Sequence, residues 1–415
     1  MSPRPNQPHP LALLLARAGK AHVVFPLAFL VATCIGLIAL GMIFYLRERF
    51  HATESQIGWF SAMYSFSYGF ACVFLRPLFD RFAPQRLILL ATSLMFVFVL
   101  GMILFPSFEA IMVLQLLYGL AMSTFWPPLA GWLSGDLEGP ALGKLMSRFN
   151  LSWSFGAIVA PFLCGCLSGI NTMLPMWVAL ATLAGCALFV RASMYAFPQL
   201  QAPARPGPRP QRAAGGGHGE ETLYRYPAWL GIFLAFAAVS ILLNLFPMFA
   251  RQADYSKQSI GLLLTVRAFA MTAGFVLLGR LAFWHFRTWP LLASQLLLTL
   301  CLLCLAWVRN PWWMALCFVL VGLACAYNYA SGQFHGLAGS SNRAQRIGVN
   351  EALISGGIVS GAVLGGIVFQ NISYAAVFYC AALASALTLL AQAQLCRAAW
   401  RERRGALRPC TKKAP

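Results

Sequence analysis

The sequence predicts an all-α membrane protein, with twelve transmembrane helices in two pseudo-symmetric six-helix bundles. Three observations carry that reading. Charged residues are 10% of the 415-residue chain and hydrophobic residues 60%, with a mean hydropathy of +0.70, outside the balance of a soluble domain. Apolar runs of about twenty residues recur from end to end, each long enough to cross a hydrocarbon core of roughly 30 Å. Half-way along, "AFPQLQAPARPGPRPQRAAGGGHGEETLYRYP" interrupts them, a composition that cannot bury enough surface to fold alone.

The first six spans are expected at His22–Leu46, Ile57–Leu75, Leu87–Phe105, Phe108–Leu133, Phe149–Leu167 and Met173–Val190. The second six are expected at Trp229–Phe249, Ile260–Leu278, Trp289–Val308, Trp312–Phe334, Ile347–Phe369 and Tyr374–Leu395. Continuous apolarity without a period of two implies helices, which satisfy their own backbone hydrogen bonds, rather than barrel strands. His22–Leu46 is too long for a cleavable signal peptide and lacks a small-residue cleavage site. The chain therefore divides into an N-terminal segment 1–21, a bundle 22–191, a linker 192–227, a bundle 228–395 and a basic tail 396–415.

Basic residues sort unequally between the two faces. Arg4, Arg17, Lys20, Arg76, Arg81, Arg86, Lys144, Arg148, Arg280, Arg287, Arg343, Arg346 and those of the linker and tail share the face of the termini. Arg47, Arg49, Arg251, Lys257 and Arg309 hold the other. This asymmetry predicts that both termini are cytoplasmic, and the compact loops suit a bacterial inner membrane. The net charge of +19 is spread over short loops, so it reads as a topology signal and not as nucleic-acid binding. The tail from Arg397 to Lys413 is expected to rest on anionic lipid.

Of twelve cysteines, all but Cys396 and Cys410 fall inside expected spans without histidine or acidic neighbours; packing, not metal binding or disulfides, is their expected role. No Walker loop, HExxH or kinase motif occurs. Neither catalysis, ATP-driven transport, a metal nor a cofactor is expected. The expected partners are a small solute, membrane lipid and protons, and the expected state is a monomer.

An offset of 200 residues brings "NLSWSFGAIVAPFLCG" from Asn150 over "NEALISGGIVSGAVLG" from Asn350, aligning Gly156 with Gly356 and Gly165 with Gly365. The fifth span thus matches the eleventh, as expected of a duplicated bundle. The loop after the second span reads "RPLFDRFAPQR". Asp80, Arg81 and Arg86 stand there at or near the places of a loop signature, and the loop resembles that of the major facilitator superfamily. It departs at Arg76 and Ala83, where the family has glycine. The second copy, "GRLAFWHFR", keeps Gly279 and Arg280 but has Phe283 in place of the acid. In the fifth span Gly156, Pro161 and Gly165 are similar to the glycine and proline motif of proton-coupled drug antiporters, with Ser147, Ala160 and Cys164 replacing other glycines.

The resemblance implies alternating access around a midplane site, coupled to protons. It makes Asp80, Arg81 and Arg86 gating residues at the cytoplasmic side. Because the family's second and eleventh helices meet, Glu351 is first a candidate gating partner for Arg76; the alternatives are an interfacial acid beside Arg343 and Arg346 or a proton-coupling site. Gly156, Pro161, Gly165, Gly356 and Gly365 are expected to serve helix packing. The family lines its site with helices one, four, seven and ten. Candidate substrate-binding residues are therefore Gln115, Tyr118, Trp126, Asn244, Asn328, Tyr329 and Gln333, each of which could instead bond a neighbouring helix. Helix kinks are expected at Pro127, Pro128 and Pro247.

Arg267 lies inside the eighth span, about 10 Å below its outer edge and about 14 Å in height from Glu351, too far for a direct pair. An anionic group on the substrate could neutralise it; snorkelling or backbone carbonyls are the alternative. The expected function is uptake of a small anionic metabolite. Export of amphipathic compounds, suggested by the aromatic content, and a receptor or scaffold on the same fold stay open.

Overall fold

A computed structural model describes residues 10–74, 82–134, 139–196, 224–281, 283–337 and 343–406. Among them every regular element is a helix. The first bundle contains α1 (Pro10–Phe50), α2 (Glu54–Phe74), α3 (Pro84–Leu104), α4 (Phe108–Ser123), α5 (Trp126–Ser134), α6 (Gly139–Ile170) and α7 (Leu174–Ala196). The second contains α8 (Arg225–Asn244), α9 (Phe246–Gln252), α10 (Lys257–Arg280), α11 (Thr288–Trp307), α12 (Pro311–Leu337), α13 (Arg343–Asn371) and α14 (Tyr374–Ala406). Paired as single interrupted spans, α4 with α5 and α8 with α9 bring the count to twelve. Eleven of these spans are long and apolar enough to cross a membrane. The twelfth, α2, carries Ser61, Ser65 and Ser67 on its buried face, with Tyr64 and Tyr68 beside them, which lowers its hydropathy, while Trp59, Phe66, Phe70 and Phe74 form its exposed apolar face.

The expected kinks are breaks. The chain turns at Thr124 and Phe125, just ahead of Pro127 and Pro128, and at Leu245, two residues before Pro247, because a proline cannot continue the hydrogen-bond ladder behind it. Several expected boundaries move, and α6 begins at Gly139, ahead of the expected Phe149. α1 begins at Pro10, ahead of His22, and α14 continues past Leu395 to Ala406, so Cys396 is a buried helix residue rather than part of a free tail. Among the described residues no cysteine is paired and no metal-holding cluster occurs.

Within the first bundle α1 packs on α6 and α7, and α4 packs on α2 and α3; within the second, α8 packs on α12 and α13, and α11 on α14. Two long seams join the bundles, α2 on α13 and α6 on α10. The seams are pseudo-symmetric in atomic detail. A Cβ on Gly165 would lie 2.5 Å from the Lys257 carbonyl oxygen, and one on Gly366 would lie 2.7 Å from that of Glu54. On the facing helices, a Cβ on Gly261 would meet the Pro161 carbonyl and one on Gly58 the Ala362 carbonyl. Such distances leave no room for any side chain.

These contacts correct the register of the repeat. Gly165 shares its role with Gly366, not Gly365. Gly156 lies against the Phe29 carbonyl, and the residue held likewise against the Phe233 carbonyl is Gly357; Gly356 has only the Phe233 ring 3.4 Å away. The glycines of α13 come in adjacent pairs, 356–357 and 365–366, so alignment by identity alone cannot choose between the members of a pair: Gly366 faces the other bundle, and Gly365 packs within its own, where a Cβ would lie 2.8 Å from Leu245 Cδ1.

Candidate functional site

The face opposite the termini is closed by two copies of one turn. The α1–α2 turn holds His51 at φ 51° and the α9–α10 turn holds Asp254 at φ 61°, a region that His and Asp tolerate better than most residues. In each turn an arginine donates back to a carbonyl, Arg47 Nη1 to Ala52 O at 2.8 Å and Arg251 Nη1 to Tyr255 O at 2.9 Å. In each a hydroxyl residue caps the next helix: Thr53 with Gln56 forms a capping box, and Ser256 accepts from the Ser259 amide.

The first residue after each cap reaches the other bundle with opposite charge. Lys257 Nζ lies 2.7 Å from Glu48 Oε1 and donates to the Ser168 carbonyl at 3.1 Å and to Thr172 Oγ1 at 2.9 Å. Glu54 Oε1 accepts from Gln252 Nε2 at 3.0 Å and lies 3.6 Å from Arg47 Nη2. The Ser55 amide donates to Gln370 Oε1 at 3.3 Å across the same seam. Lys257 sits at the positive N-terminal end of α10 and Glu48 near the negative C-terminal end of α1, so each charge is poorly placed on its own helix. Closing the face lets each relieve the other. None of this clasp was among the sequence-derived candidates, because the repeat that relates the two turns lies in their backbone geometry.

Deeper in the seam Asn244 is a strut. Its Oδ1 accepts from Ser61 Oγ of the first bundle at 2.7 Å, and its Nδ2 donates to the Ser240 carbonyl and Oγ at 2.9 and 3.0 Å. Its donors are spent, so it departs from the expected substrate-binding role. Asn328 departs too. It is buried inside the second bundle, donating to Ser294 Oγ at 3.0 Å and to the Ala324 carbonyl at 2.9 Å, against Gly231. Trp126 packs its ring on Phe125 and Phe149.

Toward the terminal face the seam carries aromatic rings from both bundles. Tyr64 stacks on Tyr68 at 6.3 Å and lies 5.9 Å from Tyr118. Tyr329 lies 5.3 Å from Phe275 and 5.9 Å from Phe236, and Trp153 of α6 stands 6.4 Å from Phe275 of α10. Gln333 donates to the Tyr329 hydroxyl at 2.8 Å. The Tyr118 hydroxyl and Gln115 Oε1 are buried without a hydrogen-bond partner. Of these rings the sequence singled out only Tyr118 and Tyr329, because a tyrosine in an apolar run cannot be assigned to a face without its neighbours.

Glu351 is half-buried, with Tyr68 and Cys72 of α2 and Tyr329 of α12 as electrostatic neighbours. Among the described residues it has no ion pair. Its suggested partner Arg76, with Asp80 and Arg81, lies outside the described residues; Arg86 is exposed on the first turn of α3. Arg267 is 6% exposed on α10, with Nη1 3.9 Å from Met271 Sδ and Nε unpartnered. Among the described residues no carboxylate pairs with it. The loop 283–287, the second copy of the signature loop, is an aromatic knot. The Phe286 amide donates to His335 Nε2 at 3.2 Å, and His285 stacks on Phe334 at 4.1 Å, where partial burial lowers its imidazole pKa.

The model of the Major Facilitator Superfamily matches residues 24–330 and 228–409. The chain belongs to that superfamily. Its fold is found in a nucleoside transporter, NupG, at 15% identity and TM-score 0.70, over 91% of this chain and 98% of that one. A POT family transporter in complex with a thioalcohol-conjugated peptide superposes with TM-score 0.75 at 11% identity, over 91% and 96%. The human organic anion transporter MFSD10 gives 0.60 at 16%, over 91% and 99%. No curated protein matches the sequence. Membership makes this protein a multi-pass membrane transporter of small molecules rather than an enzyme.

Proposed function

We propose that the protein is a proton-coupled secondary transporter that takes up a small anionic solute by alternating access. The observation that carries the anionic reading is Arg267, a buried guanidinium near the middle of α10 with no acid beside it among the described residues. An uncompensated charge at that depth is costly, and a substrate carboxylate would pair with it bidentately. We place both termini in the cytoplasm of a bacterial inner membrane, on the basic-residue asymmetry. The working unit is a monomer, bundles 22–191 and 228–395 moving about linker 192–227. Glu351 is the proton carrier in this reading, and Asp80, Arg81 and Arg86 the cytoplasmic gate.

Counterflow in vesicles tests the coupling. Glu351→Gln should abolish accumulation driven by an imposed pH gradient while leaving counterflow within about threefold of the native rate, since exchange needs no net proton movement. Loss of both activities would make Glu351 structural. The aromatic rings of the seam favour a second reading, export of amphipathic cations or neutrals. That reading would prevail if such compounds, and not anions, were exchanged by both native protein and Arg267→Ala.

Breaking the clasp gives a further expectation. Lys257→Ala removes a partly exposed ion pair and two hydrogen bonds, together worth roughly 1–3 kcal/mol. Maleimide labelling of a cysteine placed at Ser168, in a background free of other cysteines, should rise about 5- to 100-fold. Charge exchange, Glu48→Lys with Lys257→Glu, should restore most of the protection. Unchanged labelling in Lys257→Ala would mean that the clasp does not hold this face.

A further inference from the structure

On the outer wall of the second bundle a cavity of about 200 Å³ lies between α8, α11, α13 and α14. Its floor is α8 at Ala237 and Ile241; its walls are the 360–368 stripe of α13 and the 377–384 stripe of α14. The α13 stripe advances by three or four residues at a time, one face of a helix. It runs about 12 Å along the axis, ending about 5 Å short of Asn371. The α14 stripe covers the same depth from Tyr374. The groove therefore lies parallel to the bilayer normal, within the half of the membrane opposite the termini, where one leaflet supplies about 15 Å of hydrocarbon.

Its chemistry is nearly uniform. Ser360 and Cys380 bring the side-chain hetero-atoms, and the other lining side chains are hydrocarbon or absent. The mouth opens between Leu364, 62% exposed, and the exposed Cys380 and Ala384, on the surface that faces lipid. The walls stay apart because Gly361 spends its close approach on Ala237 of α8 rather than on α14. An empty apolar groove of this size forfeits dispersion contacts along its whole lining, and water finds almost no partner in it.

We propose that this groove binds one acyl chain of a phospholipid from the leaflet opposite the termini. The chain, not the headgroup, is recognised, because the groove offers no charged group and no cluster of donors. This goes beyond the transport reading and does not depend on it: the site lies outside the inter-bundle seam, and Arg267 and Glu351 do not line it.

The test is photocrosslinking in proteoliposomes with phosphatidylcholine, phosphatidylethanolamine or phosphatidylglycerol carrying a diazirine mid-chain. Crosslinked peptides should concentrate at 360–368 and 377–384, at least fivefold over the exposed lipid-facing residues Leu296 and Leu300 of α11, with equal yield for the three headgroups. Ala381→Phe, which fills the groove, should remove that excess; Leu387→Phe, exposed on α14 outside it, should not. Ala384→Phe serves as the second filling variant if Ala381→Phe fails to fold, as judged by its thermal melt. Even crosslinking over all lipid-facing helices, a yield that depends on headgroup, or an excess that survives both filling variants would overturn the site.

Discussion

Gly58→Ala should hold the protein open at the face opposite the termini and slow transport by about 5- to 150-fold. A Cβ at Gly58 would overlap the Ala362 carbonyl oxygen, and a backbone atom cannot swing aside as a flexible side chain can. Overpacking a tight contact costs roughly 1–3 kcal/mol, and a penalty confined to one of two states shifts their ratio by the fold-change just given. The protein need not unfold to escape the clash, because separating α2 from α13 relieves it. The melting temperature should therefore change little while cysteine labelling at Ser168 rises. Gly261→Ala, which would press on the Pro161 carbonyl in the pseudo-symmetric seam, should behave the same way. Gly185→Ala and Gly279→Ala, where a Cβ meets open space, should be silent. A Gly58→Ala protein with native labelling and native transport would show that the seam does not separate during the cycle.

The seam glycines also show how far the sequence could be read. The spans and their number were legible because hydrophobic length is a local property. The second copy of the signature loop could be recognised as altered, but not what replaced it. The knot of Trp284, His285 and Phe286 on Phe334 and His335 joins residues about fifty apart in the chain. Asn244 and Asn328 were legible as polar residues in apolar helices, yet each could face a cavity, the other bundle or its own. Their partners Ser61 and Ser294 are serines of the kind found throughout the spans, so pattern could not choose among these. The clasp is hidden in the sequence for a different reason. Glu48 and Lys257 stand in short loops or helix ends where charge is ordinary, and only the repeated turn geometry marks them as a pair.

Arg267→Ala should abolish exchange of anions, at least a hundredfold, and at the same time raise the thermal stability of the empty protein. The two outcomes together decide the role of the residue. If Arg267 were structural, its removal would delete hydrogen bonds to backbone carbonyls and lower stability; its guanidinium instead contacts Met271 Sδ through Nη1, and Nε has no partner. An arginine at the centre of a membrane helix costs roughly 2.5–3.5 kcal/mol on insertion scales, and here no carboxylate offsets it among the described residues. A substrate anion would offset it, so binding energy and the cost of the empty site are two aspects of one charge. A thermal-shift screen with small carboxylates and phosphates should accordingly raise the melting temperature of native protein with the logarithm of ligand concentration and leave Arg267→Ala unmoved. Arg267→Lys should keep the charge but lose the bidentate geometry, retaining a stabilising shift at about ten- to hundredfold higher ligand concentration. Anions that stabilise native protein and Arg267→Ala equally would remove this residue from the site and give the amphipathic reading the stronger claim.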